Sequence, residues 1–208
     1  MSNLGINLNL APVVDISTNS SDYMYYRTLG KNAELTATYA KTVIKASKSH
    51  QVSYTLKHFP GYGNNTDTHT GSSTDSRTYN DIYNNDLEPF RAGIKEGAEA
   101  VLISHNIVTS IDSKNPASLS LAIHDLLRKD LNFTGIVITD DLAMAAIPKN
   151  QNAVIKAINA GNDLIITNDY KNAIQSVKQA LKDGTLQEDK IDYLAFRILA
   201  WKYYKGLL

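Results

Sequence analysis

Short runs of aliphatic and β-branched residues alternate along this chain with longer segments of helical periodicity. Each such run is bounded by polar or turn-forming residues, which is typical of a buried strand. The pattern predicts five strands, at 7–14, 52–58, 100–104, 135–139 and 164–167. Strands that alternate with helices in this way indicate parallel βα units, because a parallel pair needs a long crossover connection.

Six helices are predicted between and after these strands. Their expected positions are 31–49, 86–96, 119–129, 151–160, 171–182 and 186–204. The sequence contains no solenoid-type repeat and no low-complexity stretch. We therefore expect residues 1–208 to form a single domain.

The composition favours a small-molecule or neutral polymeric substrate. Of 208 residues 43% are apolar, and 21 basic residues balance 21 acidic ones. With no excess of either charge we expect no nucleic-acid partner and no binding to an anionic membrane. There is no apolar run of about 20 residues, so no membrane insertion is expected. The start "MSNLGINLNL" shows no signal peptide, and localisation stays open between the cytoplasm and a bacterial cell surface.

Polar residues collect where the predicted strands end. In parallel α/β folds the carboxyl ends of the strands form the edge at which ligands bind, whether the sheet is open or closed into a barrel. The residues in question are Asp15, Lys57 with His58, His105, Asp140 with Asp141, and Asn168 with Asp169. Their position indicates a functional edge.

The loop "KHFPGYGNNTDTHTG", residues 57–71, concentrates potential chemistry. Asp67 precedes His69 by two residues, so its carboxylate can accept one ring N–H and set the histidine tautomer. Read by itself, however, this pattern favours an ordinary turn with a surface histidine. The loop also has three glycines and no apolar anchor between 64 and 76, which predicts a segment that closes over a ligand.

A buried strand runs directly into two acids in "GIVITDDLAM", residues 135–144. Neighbouring residues on an extended backbone point to opposite sides, so only one of Asp140 and Asp141 can face a pocket. The other is expected to be structural, for example as a helix cap.

A metal site is the less favoured alternative. His58, His69 and His105 with Asp140 are suitable zinc ligands, but the clustered H-x-H and H-E-x-x-H patterns are absent. No glycine-rich phosphate loop occurs either. We expect no metal and no organic cofactor.

Seven segments in order resemble glycoside hydrolase family 3, in its bacterial β-N-acetylglucosaminidase branch. They are "LNLAPVVDI", "YRTLG", "KHFPGYGNNTDTH", "AVLISHN", "PASLS", "LLRKDLNFTGIVITDDLAMAAI" and "AINAGNDLIIT". The resemblance implies a TIM-type (β/α)₈ barrel. It also implies a retaining hydrolase that removes β-linked N-acetylglucosamine from the non-reducing end of carbohydrates such as peptidoglycan fragments, as in peptidoglycan recycling, or chitooligosaccharides.

The same resemblance assigns roles to six residues. Asp140 matches the catalytic nucleophile, His69 the general acid/base and Asp67 the residue that polarises His69. Three further residues match those that hold sugar hydroxyls: Lys57, His58 and Arg27.

Two departures from the family pattern stand out. Tyr62 replaces the second histidine of the usual "KHFPGHG", a change expected to affect the rim more than the chemistry. The first three barrel strands also have no counterpart, so we expect an incomplete barrel, the C-terminal portion of the catalytic domain. Such a chain should self-associate or be completed by a missing N-terminal segment. The alternative function is a truncated, catalytically impaired saccharide-binding or assembly fragment.

Overall fold

The computed structural model describes residues 1–147 and 152–208. Within these ranges there are six strands. They are β1 Leu8–Asn9, β2 Ser53–Phe59, β3 Thr74–Asp75, β4 Ala100–Ile103, β5 Ile107–Val108 and β6 Ile136–Thr139. The main sheet has the order β1-β2-β4-β6, and all its neighbours are parallel. The predicted parallel sheet is thereby confirmed.

The fifth predicted strand contributes only one bridge to this sheet, between Ile138 and Leu164. Beyond that bridge the Ile166 amide donates to the side-chain hydroxyl of Thr139, at 3.0 Å, instead of to a main-chain carbonyl. The segment at 164–167 therefore runs beside β6 without forming a regular ladder. The sheet has four strands where the sequence predicts five.

Of the first predicted strand, only Leu8–Asn9 forms a regular strand, because the segment contains a proline. Pro12 has no amide hydrogen to donate. Backbone bonds nevertheless continue along β2 on both sides of it, from Thr55 N to Ala11 O at 2.8 Å and from Val14 N to Lys57 O at 2.7 Å. The stretch from residue 7 to 14 thus lies along β2 and delivers Asp15 to the carboxyl edge.

Seven α-helices lie in the described ranges. They are α1 Ala33–Ser47, α2 Tyr79–Asp81, α3 Leu87–Lys95, α4 Leu121–Asp125, α5 Ala153–Ala160, α6 Tyr170–Lys182 and α7 Glu188–Tyr204. A π-helical turn, Ile82–Asp86, joins α2 to α3, and another, Leu126–Asp130, extends α4. Short 3₁₀ turns occur at Ser2–Leu4, Tyr25–Arg27 and Ala117–Leu119. The predicted helix at 151–160 starts at a residue outside the described ranges.

The helix predicted at 86–96 begins earlier than expected. Thr78 and Asp81 form a reciprocal capping box, so the helical path starts at Tyr79. The proline at position 89 lies in the first turn of α3, directly after the π-helical turn that joins α2 to α3.

The core lies between the sheet and the helices that cover it. Phe59 of β2 meets Phe90 of α3 edge to face, with ring centroids 5.2 Å apart. Leu56 and Val101 are fully buried in the same cluster. Burial of each such side chain contributes about 1.5–3 kcal/mol, so the core holds the strand ends in place. A second cluster, built around Ile158 and Leu194, packs the last three helices together.

No helix in residues 1–147 and 152–208 is both long and apolar enough to cross a membrane.

Candidate active site

Asp15, at the end of the first sheet segment, organises the start of the glycine-rich loop. Its side chain is 1% exposed. One carboxylate oxygen accepts bonds from the backbone N and ring Nδ1 of His58, at 3.1 and 2.7 Å, and the other accepts the Tyr62 amide at 2.8 Å. Asp15 therefore fixes the orientation of His58, whose buried ring has only Nε2 left for other partners.

Lys57 lies among charged groups at the same edge. Burial lowers its pKa below the ordinary lysine value, and the charge of Arg27 acts in the same direction. The carboxylates of Asp140 and Asp15 oppose this effect. The charges of Arg27 and Asp140 therefore both act on Lys57.

The two acids after β6 make different contacts. The amide of Asp140 donates to Ile103 O at 2.9 Å, which extends the pairing with β4. The Asp141 side chain accepts the amide of Ala143 at 2.9 Å and so closes a turn. Asp141 has a structural contact of the expected kind, although it supports a turn and not a helix cap.

His105 is buried and bonded through both ring nitrogens. Nδ1 lies 2.7 Å from the Ser118 hydroxyl and Nε2 lies 2.9 Å from the carbonyl of Asp141. A carbonyl only accepts, so Nε2 carries the hydrogen. Burial lowers the pKa of His105, and the charge of Asp140 opposes the shift only in part. A neutral histidine with both nitrogens engaged is a structural support for the Asp140 segment.

The described residues contain no cluster of three or more His, Asp or Glu side chains that would hold a metal ion. This agrees with the partners of His58 and His105, whose Nδ1 atoms bind Asp15 and Ser118.

Gly61 and Gly63 let the loop lie directly on charged side chains. Their φ values are +117° and +58°, in the region that favours glycine. A Cβ atom at Gly61 would come within 2.5 Å of Asp86 Oδ1, and one at Gly63 would lie 2.5 Å from Arg77 Cζ. Any other residue at these positions would push the loop off its support.

That support is an ion-pair network centred on Arg77. Its guanidinium binds Asp86 at 2.7 Å and Asp75 at 2.6 Å, and both carboxylates are almost fully buried. Burial by itself lowers the pKa of Arg77, but the bonds to Asp75 and the charge of Asp86 outweigh it, so the pKa is raised. The arginine stays charged and ties the loop to the helical path that follows it.

Tyr62, expected at the rim, is 2% exposed. Its hydroxyl accepts the Thr68 amide at 2.9 Å, donates to the Thr66 carbonyl at 3.1 Å and lies 2.9 Å from the Thr68 hydroxyl. Burial raises the pKa of Tyr62, although the bonds to Thr68 oppose it. The expectation of a rim position is wrong, because this tyrosine lies under the Asp67–His69 turn.

The loop contains no apolar residue that could hold it in place between 64 and 76, but backbone pairing and buried polar residues do so. β3 pairs with β5 in a small parallel sheet, and Thr68 and Ser73 are buried. In addition the Ala146 amide donates to the Thr68 carbonyl at 3.1 Å. The turn that carries His69 is therefore attached to the segment that follows Asp140.

Asp67 and His69 form the pair that the sequence suggests. Asp67 Oδ1 accepts the backbone N of His69 at 2.9 Å and its ring Nδ1 at 2.7 Å. Burial acts to raise the pKa of Asp67, but the bonds from His69 and Tyr23 outweigh it and the pKa is lowered. The His69 side chain is 57% exposed, so Nε2 is the nitrogen left for a ligand.

Tyr23 is a contact that sequence reasoning missed. Its hydroxyl accepts a bond from Arg27 Nη1 at 2.9 Å, and its interaction with Asp67 helps to lower the pKa of that carboxyl. Arg27 is thereby linked to the Asp67–His69 pair. The motif "YMYYR" gives no signal for this role, because several tyrosines there share the same local pattern.

A cavity of about 840 Å³ lies away from this edge, at the amino ends of β4 and β6. It is lined among others by Glu99, Arg197 and Trp201. It shares no residue with the candidate site. Arg197 there is already bonded to Asp163.

Comparisons with known proteins give a consistent result. The model of the glycosyl hydrolase family 3 N-terminal domain matches residues 1–201. A β-hexosaminidase of Psychromonas ingrahamii is 34% identical over 195 residues, which is 91% of this chain and 58% of that protein. The chain thus spans about half the length of the curated relatives that it matches.

Solved structures agree in fold. A family 3 β-N-acetylglucosaminidase from Paenibacillus superposes with a TM-score of 0.93 at 32% identity, over 99% of this chain and 41% of that one. A β-N-acetylhexosaminidase from Beutenbergia cavernae gives 0.84 at 32% identity, over 99% and 64%. The four parallel strands and their helices correspond to part of a TIM-type barrel, so the predicted incomplete barrel is confirmed.

Proposed function

Because the chain belongs to glycosyl hydrolase family 3, we propose that the complete protein is a retaining glycosidase. It removes β-linked N-acetylglucosamine from the non-reducing end of carbohydrates such as peptidoglycan fragments or chitooligosaccharides. The observation that carries the proposal is the attachment of the Asp67–His69 pair to the Asp140 segment, through the bond from the Ala146 amide to the Thr68 carbonyl. An acid/base and a carboxylate that share one edge supply the two groups that this reaction needs.

Asp140 is the proposed nucleophile. Its carboxylate would form a glycosyl ester with the anomeric carbon as the bond to the leaving oxygen breaks. The Asp141 amide donates to Asp140 Oδ1 at 2.9 Å and orients the carboxylate. Lys57, whose charge acts on Asp140, adds electrostatic support.

His69 is the proposed general acid/base. With Nδ1–H bonded to Asp67, Nε2 delivers a proton to the leaving oxygen and later takes one from water. A histidine suits both steps because its ordinary pKa of about 6.5 lets it hold and release a proton near neutrality. Asp67 stabilises the cationic form of His69, which donates the proton in the first step and is restored when water is deprotonated in the second.

Lys57, Arg27 and His58 are the proposed sugar-binding residues. The two cations can donate to hydroxyl oxygens, and His58 can contribute Nε2 because Asp15 holds its other nitrogen. Residues 1–208 are proposed to form one domain, the C-terminal portion of the catalytic barrel, which a further segment completes.

The test is hydrolysis of an aryl β-N-acetylglucosaminide by the complete protein. We expect Asp140→Asn to abolish turnover, a loss of more than about 1,000-fold in kcat, because the amide cannot act as the nucleophile. Proton NMR of the unmodified enzyme should show the β-anomer as the first product, as retention requires.

Asp141→Asn is the matched control, since it makes the same change one residue away. It should retain most activity, because its amide oxygen can still accept the Ala143 bond. A larger loss in Asp141→Asn than in Asp140→Asn would reverse the assignment. Saccharide binding by the complete protein without any turnover would favour the saccharide-binding alternative.

A further inference from the structure

Tyr62 forms several hydrogen bonds with the turn that carries the proposed acid/base, His69. Its hydroxyl bonds to Thr66 and Thr68, and its backbone amide bonds to Asp15. One residue therefore connects the end of the first sheet segment to the residue between Asp67 and His69. Because the aromatic ring of Tyr62 is rigid, it fixes the distance between its amide, which bonds to Asp15, and its hydroxyl, which bonds to Thr68.

The ring itself is fixed by its neighbours. It contacts His58 edge to face, with centroids 5.8 Å apart, and Tyr23 at 5.9 Å. Gly61 and Gly63 on either side allow the backbone to lie against Asp86 and Arg77. The Tyr62 hydroxyl is thereby held in a fixed position relative to the Asp67–His69 turn.

Thr68 receives restraint from two directions. Its amide binds the Tyr62 hydroxyl at 2.9 Å, and its carbonyl accepts the Ala146 amide at 3.1 Å. Thr68 is 1% exposed, so water cannot replace either partner without a change in the fold. The peptide units that join Asp67 to His69 are thus fixed, while the imidazole above them remains exposed.

We propose that the Tyr62 hydroxyl is a positioning group for the general acid/base, which fixes the Asp67–Thr68–His69 turn relative to the nucleophile segment. Tyr62 touches no reacting atom and acts only through Thr68. This inference rests on the proposed glycosidase function for its catalytic consequence. Its structural part, the restraint on Thr68, is independent of that function.

The variant Tyr62→Phe removes the hydroxyl and keeps the ring. Tyr54→Phe is the matched control, because Tyr54 packs against the core and its hydroxyl has no hydrogen bond within residues 1–147 and 152–208. Thermal unfolding of both variants establishes that each remains folded. The first measurement is amide hydrogen exchange at Thr68, which needs no activity. We expect exchange about tenfold faster in Tyr62→Phe and unchanged in Tyr54→Phe.

The second measurement uses the complete protein with two substrates. We expect Tyr62→Phe to lower kcat/KM about 10- to 100-fold for a natural disaccharide and less than about threefold for a nitrophenyl glycoside, whose leaving group needs little protonation. In the double variant Tyr62→Phe/His69→Ala the loss on the disaccharide should equal that of His69→Ala alone, because Tyr62 acts through His69.

If amide hydrogen exchange at Thr68 is unchanged in Tyr62→Phe, the proposal is overturned, whether or not the protein is a glycosidase. Multiplicative losses in the double variant, or equal losses on the two substrates, overturn the positioning role. If the complete protein hydrolysed neither substrate while Thr68 exchange still accelerated, the proposed function would fail and the restraint by Tyr62 would stand.

Discussion

Asp67 and His69 contribute differently to proton transfer, although they form one pair. His69 would carry the proton, whereas Asp67 holds Nδ1 at 2.7 Å and fixes which nitrogen faces the substrate. Substitution of His69 should therefore lower activity more than substitution of Asp67. The leaving group decides how visible either loss is, because a good leaving group departs without a proton.

We expect His69→Ala in the complete protein to lower kcat/KM for a natural disaccharide by 10²–10⁴-fold and to spare an activated nitrophenyl substrate. Asp67→Ala should give a milder form of the same pattern. Steady-state kinetics of both variants on both substrates provide the measurement. Equal losses on the two substrates would indicate a positioning role for the loop, and no loss on either would leave a surface turn.

Buried histidines make stability depend on pH. Burial lowers the pKa of both His105 and His124. Below the ordinary histidine pKa of about 6.5 the unfolded chain binds protons that the folded chain does not, so the free energy of unfolding decreases as pH falls. Urea unfolding at pH 7.5 and 5.5 should show this loss, at most about 1.4 kcal/mol per pH unit for each histidine. His105→Gln should weaken the dependence, because it removes one of the two histidines whose pKa burial lowers.

At the scale of elements, the loop and the helical path after it are held together by Arg77. Its removal would leave two buried carboxylates, Asp75 and Asp86, without their cation. We expect Arg77→Ala to lower the free energy of unfolding by about 3–5 kcal/mol, measured by urea denaturation. Lys129→Ala is the control, because it breaks an exposed pair with Asp125 and should cost less than about 0.5 kcal/mol. Similar effects of the two changes would show that the Arg77 network is not a major support.

The sequence predicts the regular elements well because their signal is local. The buried patterns of β2, β4 and β6 repeat over consecutive residues. β4 and β6 lie within their predicted runs, and β2 extends one residue beyond its run. The pairing of β3 with β5 has no such signal, because two residues show no periodicity and their partners are distant in sequence. For the same reason the motif locates Asp67, His69 and Asp140 but not Tyr23 or Tyr62, whose hydroxyl partners are defined only after the loop has folded.

At the scale of the whole molecule, apolar surface remains at both ends of the chain. Phe196, Leu199 and Tyr203 lie three and four residues apart on one exposed side of α7, and Leu4 near the start is also exposed. In the described part of the chain β1 pairs only with β2, so its outer edge is open. Open edges and apolar patches favour association.

We expect the 208-residue chain by itself to self-associate or to precipitate. Light scattering should give a mass above that of a single chain, and Phe196→Lys should lower it by placing a charge in the exposed patch. Lys202→Glu, a charge change on the same helix, is the control for charge alone. A stable, well-behaved monomer would contradict the expectation.

The bond between Ala146 and Thr68 also sets a condition for exchanging parts between related enzymes. If the glycine-rich loop alone were grafted into a related enzyme, its turn would lack the segment after Asp140 to which it bonds in this protein. Loop and partner therefore form one transplantable unit, and a chimera that moves residues 58–75 should also move 140–147.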